Sequence, residues 1–142
     1  MAYIFLAAED FEPHIQSKLL TANSENPIAT IMEPIEKQNI AFIRSKLSGR
    51  YDMDPVFIET GDDRNQVILK ILLRMCLYDF IRRNAARKVP DDYREDYNWA
   101  IKELEKLQGG FSYADLPPYK DGEGEEIAKP IWANTTNNDN YI

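Results

Sequence analysis

Cysteine and histidine are almost missing from this sequence, each occurring once, as Cys76 and His14. A single thiol excludes an intramolecular disulfide and fits a reducing compartment; set among apolar neighbours, Cys76 reads as a small core hydrophobe. A single histidine excludes sets built on paired histidines or on histidine with cysteine. Glu9, Asp10 and Glu12 stand near His14, but their spacing fits no recognised ligand pattern, so no metal is expected. Asp52, Asp54, Asp62 and Asp63 lack the central glycine and closing glutamate of a calcium loop and read as turn and cap residues. A glycine-rich phosphate loop and a serine in a nucleophile-elbow setting are absent too. The chain is therefore expected to be no enzyme and to need no cofactor, with its many carboxylates on solvated faces. A deep pocket of perturbed acids would be the sign of the opposite.

Long apolar runs are also lacking. In the most apolar part of the chain, Arg74 interrupts the run after residues 71–73, far short of the roughly 20 residues needed to cross a bilayer. The start, MAYIFLAAEDF, has no basic head and meets acids almost at once, so no secretion signal is expected and the protein reads as soluble. Positive charge is in deficit: the net charge is −7 and the sequence pI near 4.8. General attraction to DNA or to an anionic membrane is not expected. The 142 residues, 44% of them hydrophobic, suit one domain with a modest core.

What is present is helical periodicity, densest over residues 62–88. Val67, Ile71, Met75, Tyr78 and Arg82 recur at helical spacing, and Ile68, Leu72, Cys76 and Phe80 form a second row, so this helix should be covered on more than one side. Asp62 and Asp63 at its start and Arg82, Arg83, Arg87 and Lys88 at its end match the helix dipole. Before it, residues 1–6 read as a short extended arm and 8–20 as a first helix with Phe11, Ile15 and Leu19 inward. A polar connection over 21–27 follows. The second helix ends near Ser48, with Ile35, Ile40, Ile43 and Leu47 on one face and Gly49 as its stop. Pro34 leaves its start open, either a kinked helix from about 28 or a fresh one from about 33. Residues 50–61 read as a loop with Val56, Phe57 and Ile58 as an apolar plug. The last helix opens at Pro90, with Asp91 and Asp92 in its first turn. Along it, Tyr93, Tyr97, Ile101 and Leu104 share a face, and Gly109 and Gly110 end it.

From Phe111 onward the pattern is lost. Pro117, Pro118, the DGEGEE run and the closing NTTNNDNYI have no period, so residues 1–110 are expected to form the domain and 111–142 an extended C-terminal arm. The fold class predicted is all-α, a small antiparallel bundle of about four helices with a long irregular arm. That arm carries more large apolar groups than a solvated linker, Tyr119 and Ile131 among them. Pro130, Ile131 and Trp132 are its most anchor-like part, because tryptophan offers a large contact area with few rotatable bonds. Two readings stand: the arm docks on a partner, or it folds back on its own helices. Arg82 and Arg83 likewise either contact an acidic neighbour or a passing phosphate, or complete their helix end and pair with Asp79 or acids of the last helix.

The run LSGRYDMDPVF, a D-x-RN start to the apolar helix, then FIRRN, then P-x-x-YREDY-x-x-AI-x-x-L-x-x-L-x-GG, occur in an order that resembles a known family. It is similar to the small helical head-tail connector, or adaptor, proteins of tailed bacteriophages and prophages, in particular the group named after a phage Mu virion protein. The resemblance covers about residues 3–110 and is densest at Arg50-Tyr51-Asp52 and Arg82-Arg83. The arm is longer and more polar than in the shortest members. The resemblance implies a non-enzymatic structural protein of the virion neck, assembled in the bacterial host cytoplasm. Its partners would be the portal protein, a tail-completion protein and copies of itself in a ring, with DNA passing through the channel without specific binding. The alternative is a non-virion helical interaction module, such as a regulator or inhibitor.

Overall fold

The structure, a computed structural model, describes residues 4–11, 13, 28–83, 89–110 and 115–119. Its helices among these are α1 (Ala8–Phe11), α2 (Ile28–Leu47), α3 (Asp54–Ile58), α4 (Gln66–Arg82) and α5 (Asp91–Gly109), with a 3-10 turn at Gly61–Asp63. No strand occurs among the described residues, and the fold class is all-α. The long helices α2, α4 and α5 all pack on one another, and α1 and α3 are short, of four and five residues. Going forward on α4 from Lys70 to Arg74 to Tyr78, the α5 partners go backward from Trp99 to Asp96 and Tyr97, so these two helices run antiparallel.

Helix α4 has the two-sided burial that its apolar rows demand. Ile68, Leu72, Cys76 and Phe80 are all fully buried, and so are Ile71 and Met75 of the other row. Tyr78 is half-buried, while Val67 and Arg82, one at each end of the helix, are exposed. Leu73 and Leu77 are buried as well, because α2 and α5 flank α4 together.

The start of α4 corrects the expectation from the sequence. Asp62 and Asp63 belong to the separate 3-10 turn, Arg64 is extended, and the helix begins at Gln66. Asn65 is the cap, its Oδ1 accepting from the N–H groups of Val67 at 3.0 Å and Ile68 at 3.1 Å. A short polar side chain that satisfies two orphan amides fixes the start more strongly than acids nearby can. Arg87 and Lys88 lie outside the described residues.

Helix α2 is continuous from Ile28 through Pro34, which settles the open start in favour of the longer helix. The proline ring removes the donor that would reach the carbonyl of Thr30. Ile40, Ile43 and Leu47 are buried as expected, Ile35 is half-buried, and Met32, Glu36 and Asn39 complete the inward face. Gly49 is not the left-handed stop expected, since the described glycines with positive φ are Gly61 and Gly110. Overlapping turns close α2 instead, with the N–H groups of Arg50 and Tyr51 both donating to the Leu47 carbonyl.

Residues 50–61 are also less loop-like than expected. Pro55 sits in the first turn of α3, where a missing N–H is no loss, and Asp52 Oδ1 accepts from the Asp54 amide at 3.3 Å. Val56 and Phe57 plug the core while Ile58 is 77% exposed, so the apolar plug is two residues, not three. Pro90 stands immediately before α5 rather than within it, and Asp91 and Asp92 occupy the first turn. Ala100, Leu104 and Leu107 are buried, with Tyr93, Tyr97 and Ile101 packed at the margin. Gly110, at φ 77°, ends the helix by donating to the Leu107 carbonyl.

At the N-terminus, helix α1 is one turn, with Phe11 buried. Residues 12 and 14–20, with His14, Ile15 and Leu19, lie outside the described residues, as do 1–3. Residues 4–7 are irregular, and Phe5 and Leu6 are buried rather than held out as an arm.

Burial raises the Cys76 thiol far above its ordinary pKa, although a contact from Asn39 Nδ2 at 3.6 Å opposes the shift. The thiolate is the reactive form, and each unit of pKa is a factor of ten in its population. Alkylation of the native protein near about pH 8 is therefore expected to run at least about a hundredfold slower than in denaturant, as read by mass spectrometry. Equal rates would place Cys76 outside the core.

Candidate functional site

Three places on this fold gather polar, charged or aromatic side chains. The first is the root of the C-terminal arm. Asp115–Tyr119 does not leave the body: Asp52 N–H donates to the Pro117 carbonyl and Tyr119 N–H to the Arg50 carbonyl, both at 3.0 Å. Tyr51 and Pro118 thereby form an isolated antiparallel bridge, and Leu116 packs against the core. The fold-back reading thus holds for the described beginning of the arm. Pro130, Ile131 and Trp132 lie outside the described residues.

The root is built from the helix ends beneath it. Arg50, just past the end of α2, lays its guanidinium over Gly110, with Cζ 2.6 Å from where a β-carbon would stand. Gly110 is therefore constrained twice, by its positive φ and by the arginine. Gly110→Ala is expected to cost about 1–2 kcal/mol from the left-handed backbone alone. It should also displace Arg50 and increase protease cleavage around residues 115–119. Urea unfolding and a proteolysis time course check this, and unchanged cleavage would mean that Arg50 does not hold the root.

Beside the root lies an open groove of about 290 Å³, with Arg44, Ser48, Tyr51, Asp54 and Tyr119 around it and Met53 at its base. Arg44 pairs with Asp54 and stands 5.3 Å from the centre of the Phe57 ring, so the groove has a charged rim. Tyr119 is 36% exposed, which leaves part of its ring for contact.

The second place is the end of α4. Arg82 and Arg83 are both exposed, and the Arg83 guanidinium lies 6.0 Å from the Phe80 ring centre. Asp79, expected beside them, accepts a hydrogen bond from Asn39 Nδ2 at 3.0 Å. Burial raises the Tyr97 phenol, Asp79 adds to the shift, and the charge of Arg82 opposes it, which places Arg82 near Tyr97. Tyr119 belongs to the far end of α5, beside Gly110 and Arg50. Gly110 stands thirteen positions after Tyr97, about 20 Å at the helical rise. Of the predicted interface residues that are described, Arg82 and Arg83 therefore lie apart from Tyr119.

The third place was not foreseen from sequence. Glu36, fully buried in α2, accepts from three successive amides: Ile4 at 2.9 Å, Phe5 at 2.6 Å and Leu6 at 2.7 Å. Arg64 donates to the Phe5 carbonyl at 2.9 Å and grips Asp10 with both terminal nitrogens, at 2.6 and 3.1 Å. Asp10 holds the Arg64 guanidinium above its ordinary pKa, against the opposing effect of burial. Residues 4–11 are thus a strap clamped by one buried carboxylate and one arginine. The legible signal was Glu36 itself, a charge four residues from Met32 and from Ile40 on an apolar face.

No group of three histidine, cysteine or acidic side chains could hold a metal among the described residues. Likewise, no described helix is long and apolar enough to cross a membrane. The fold defines a small all-α protein. No family model, no curated protein and no solved structure matches the chain.

Proposed function

We propose that the protein is a non-enzymatic structural subunit of a tailed-phage or prophage neck, a connector that assembles as a ring between portal and tail in the bacterial cytoplasm and remains in the virion. The observation that carries the reading is the ordered motif series from Leu47 to Gly110. The all-α bundle is compatible with it. The family-like Arg50-Tyr51-Asp52 segment also has a physical task, since its backbone and the Arg50 side chain set where the arm departs. An arm rooted at a defined point beside an open groove suits a subunit that embraces neighbours. Portal, tail-completion protein and further copies of the chain are the partners proposed. The net charge of −7 fits a channel through which DNA slides, because tight binding needs cations that displace condensed counterions.

The test is assembly. Negative-stain images of the full-length protein mixed with the portal of the same genome are expected to show rings seated on the portal. A strictly monomeric particle that ignores the portal would overturn the reading. The same groove and arm also fit a non-virion interaction module, and a pull-down returning an enzyme or transcription factor with no phage structural protein would select that alternative.

A further inference from the structure

We infer that the corner formed by Lys70 and Arg74 of α4 and Trp99 of α5 is a docking site for an acidic amphipathic helix of a partner protein. Lys70 Nζ lies 4.9 Å and Arg74 Cζ 4.4 Å from the centre of the same Trp99 ring, so two cations share one indole. Like charges one helical turn apart repel, and the chain does little to offset them. Lys70 is exposed and enters no ion pair among the described residues. Arg74 meets Asp96 only at 3.4 Å, longer than a charge-assisted hydrogen bond, and its Nε is buried without an acceptor. Glu103, one turn beyond Trp99, is taken up by Lys106 at 2.9 Å. A positive corner thus persists in a chain of net charge −7. A guanidinium so poorly matched by its own chain is better matched by a carboxylate brought from outside to its terminal nitrogens.

The surface beside the corner selects the kind of partner. Lys70, Arg74 and Tyr78 recur every fourth residue and so share a face of α4, and Tyr78 stacks on Tyr97 of α5 at 4.3 Å. Both tyrosines and Trp99 are half-buried, which leaves ring area next to the cations. A helix laid along this seam sets carboxylates one turn apart against Lys70 and Arg74, and an apolar side chain against the tyrosines one turn further. Arginine, tryptophan and tyrosine are also the side chains that most often anchor interfaces. A phosphate ion is a poorer fit, because all of these residues stand inside helices, where no backbone amides remain to cradle it. A nucleic-acid strand would carry its phosphates past Asp96 and onto the acidic remainder of the chain. The site is independent of the neck reading, since any acidic helix of this pattern meets it.

The experiment titrates isotope-labelled full-length protein with a blocked alanine-based helical peptide that carries glutamates one turn apart and a leucine one turn further. NMR reads the amides of Lys70 and Arg74 and the indole N–H of Trp99, which Trp132→Phe distinguishes from the other tryptophan. These signals are expected to shift together and saturate, and binding should weaken toward about 1 M salt, where the screening length is about 3 Å. Lys70→Glu is expected to weaken binding at least about tenfold, because a carboxylate one turn before Arg74 takes the place of the partner's. Lys70 is exposed, so this change spares the core; Lys70→Gln, which only removes the charge, gives the same direction if the first variant does not fold. Signals that stay still, that shift equally with a glutamine-for-glutamate peptide, or that ignore both Lys70 variants would overturn the inference. So would inorganic phosphate or an oligothymidylate that moves the same signals at lower concentration than the peptide.

Discussion

Replacing Glu36 by alanine is expected to remove about 3–5 kcal/mol of folding stability, a large part of what a small domain possesses. The carboxylate is fully buried and accepts three amides between 2.6 and 2.9 Å. Hydrogen bonds to a charged group contribute about 1.5–3 kcal/mol each, and an orphaned buried amide costs about 1–3 kcal/mol. The sum overshoots for two reasons: alanine also removes the desolvation cost of the charge, and the strap has an escape. If residues 4–11 lift off, the amides find water and the loss becomes the burial of Phe5, Leu6 and Phe11. The expected state of Glu36→Ala is therefore a folded helical body with a detached strap, seen as a lower urea midpoint and fast hydrogen exchange over residues 4–6. Glu36→Gln keeps an acceptor for Phe5 and Leu6 but turns an N–H toward Ile4, and should lose about 1–2 kcal/mol. An alanine variant within about 0.5 kcal/mol of the parent would show that the clamp holds nothing.

Phe80→Ala is the second large effect, at about 3–5 kcal/mol. Phe80 is fully buried in a helix that packs against both α2 and α5, so neighbours cannot collapse into the cavity from one side without opening the other. Val67→Ala on the same helix makes the comparison informative. Val67 is 37% exposed at the first turn, and its truncation should change stability by no more than about 0.5 kcal/mol. Chemical denaturation of both variants decides the matter, because similar losses would contradict the two-sided burial of α4.

Local periodicity carried most of the secondary structure. Ile68, Leu72, Cys76 and Phe80 were legible as a buried row because a 3.6-residue repeat puts them on one face whatever packs there. Gly110 was legible as a stop, since a left-handed position after a helix selects glycine. Misreadings arose where one local rule competed with another. Asp62 and Asp63 looked like the start of α4, but Asn65 two residues on caps it with two hydrogen bonds. Residues 50–61 read as a loop, yet Pro55 fits the first turn of α3, where its missing donor goes unnoticed.

The candidate sites divide the same way. Arg82, Arg83 and Tyr119 are exposed, as their chemistry suggests, but no sequence pattern shows that the two arginines and the tyrosine sit well apart along α5. Arg50 over Gly110 joins the ends of two helices far apart in sequence, and no local pattern announces such a contact.

By itself the sequence determined the all-α class, the three long helices and most of the residues that face inward, because these follow from repeat length and from short-range hydrogen bonding. Tertiary structure alone decided that a buried glutamate on α2 clamps the N-terminal strap and that the arm begins against residues 50–52. The physical reason is that a backbone amide is the same in every residue: Ile4, Phe5 and Leu6 donate to Glu36 through groups that no side-chain alphabet encodes.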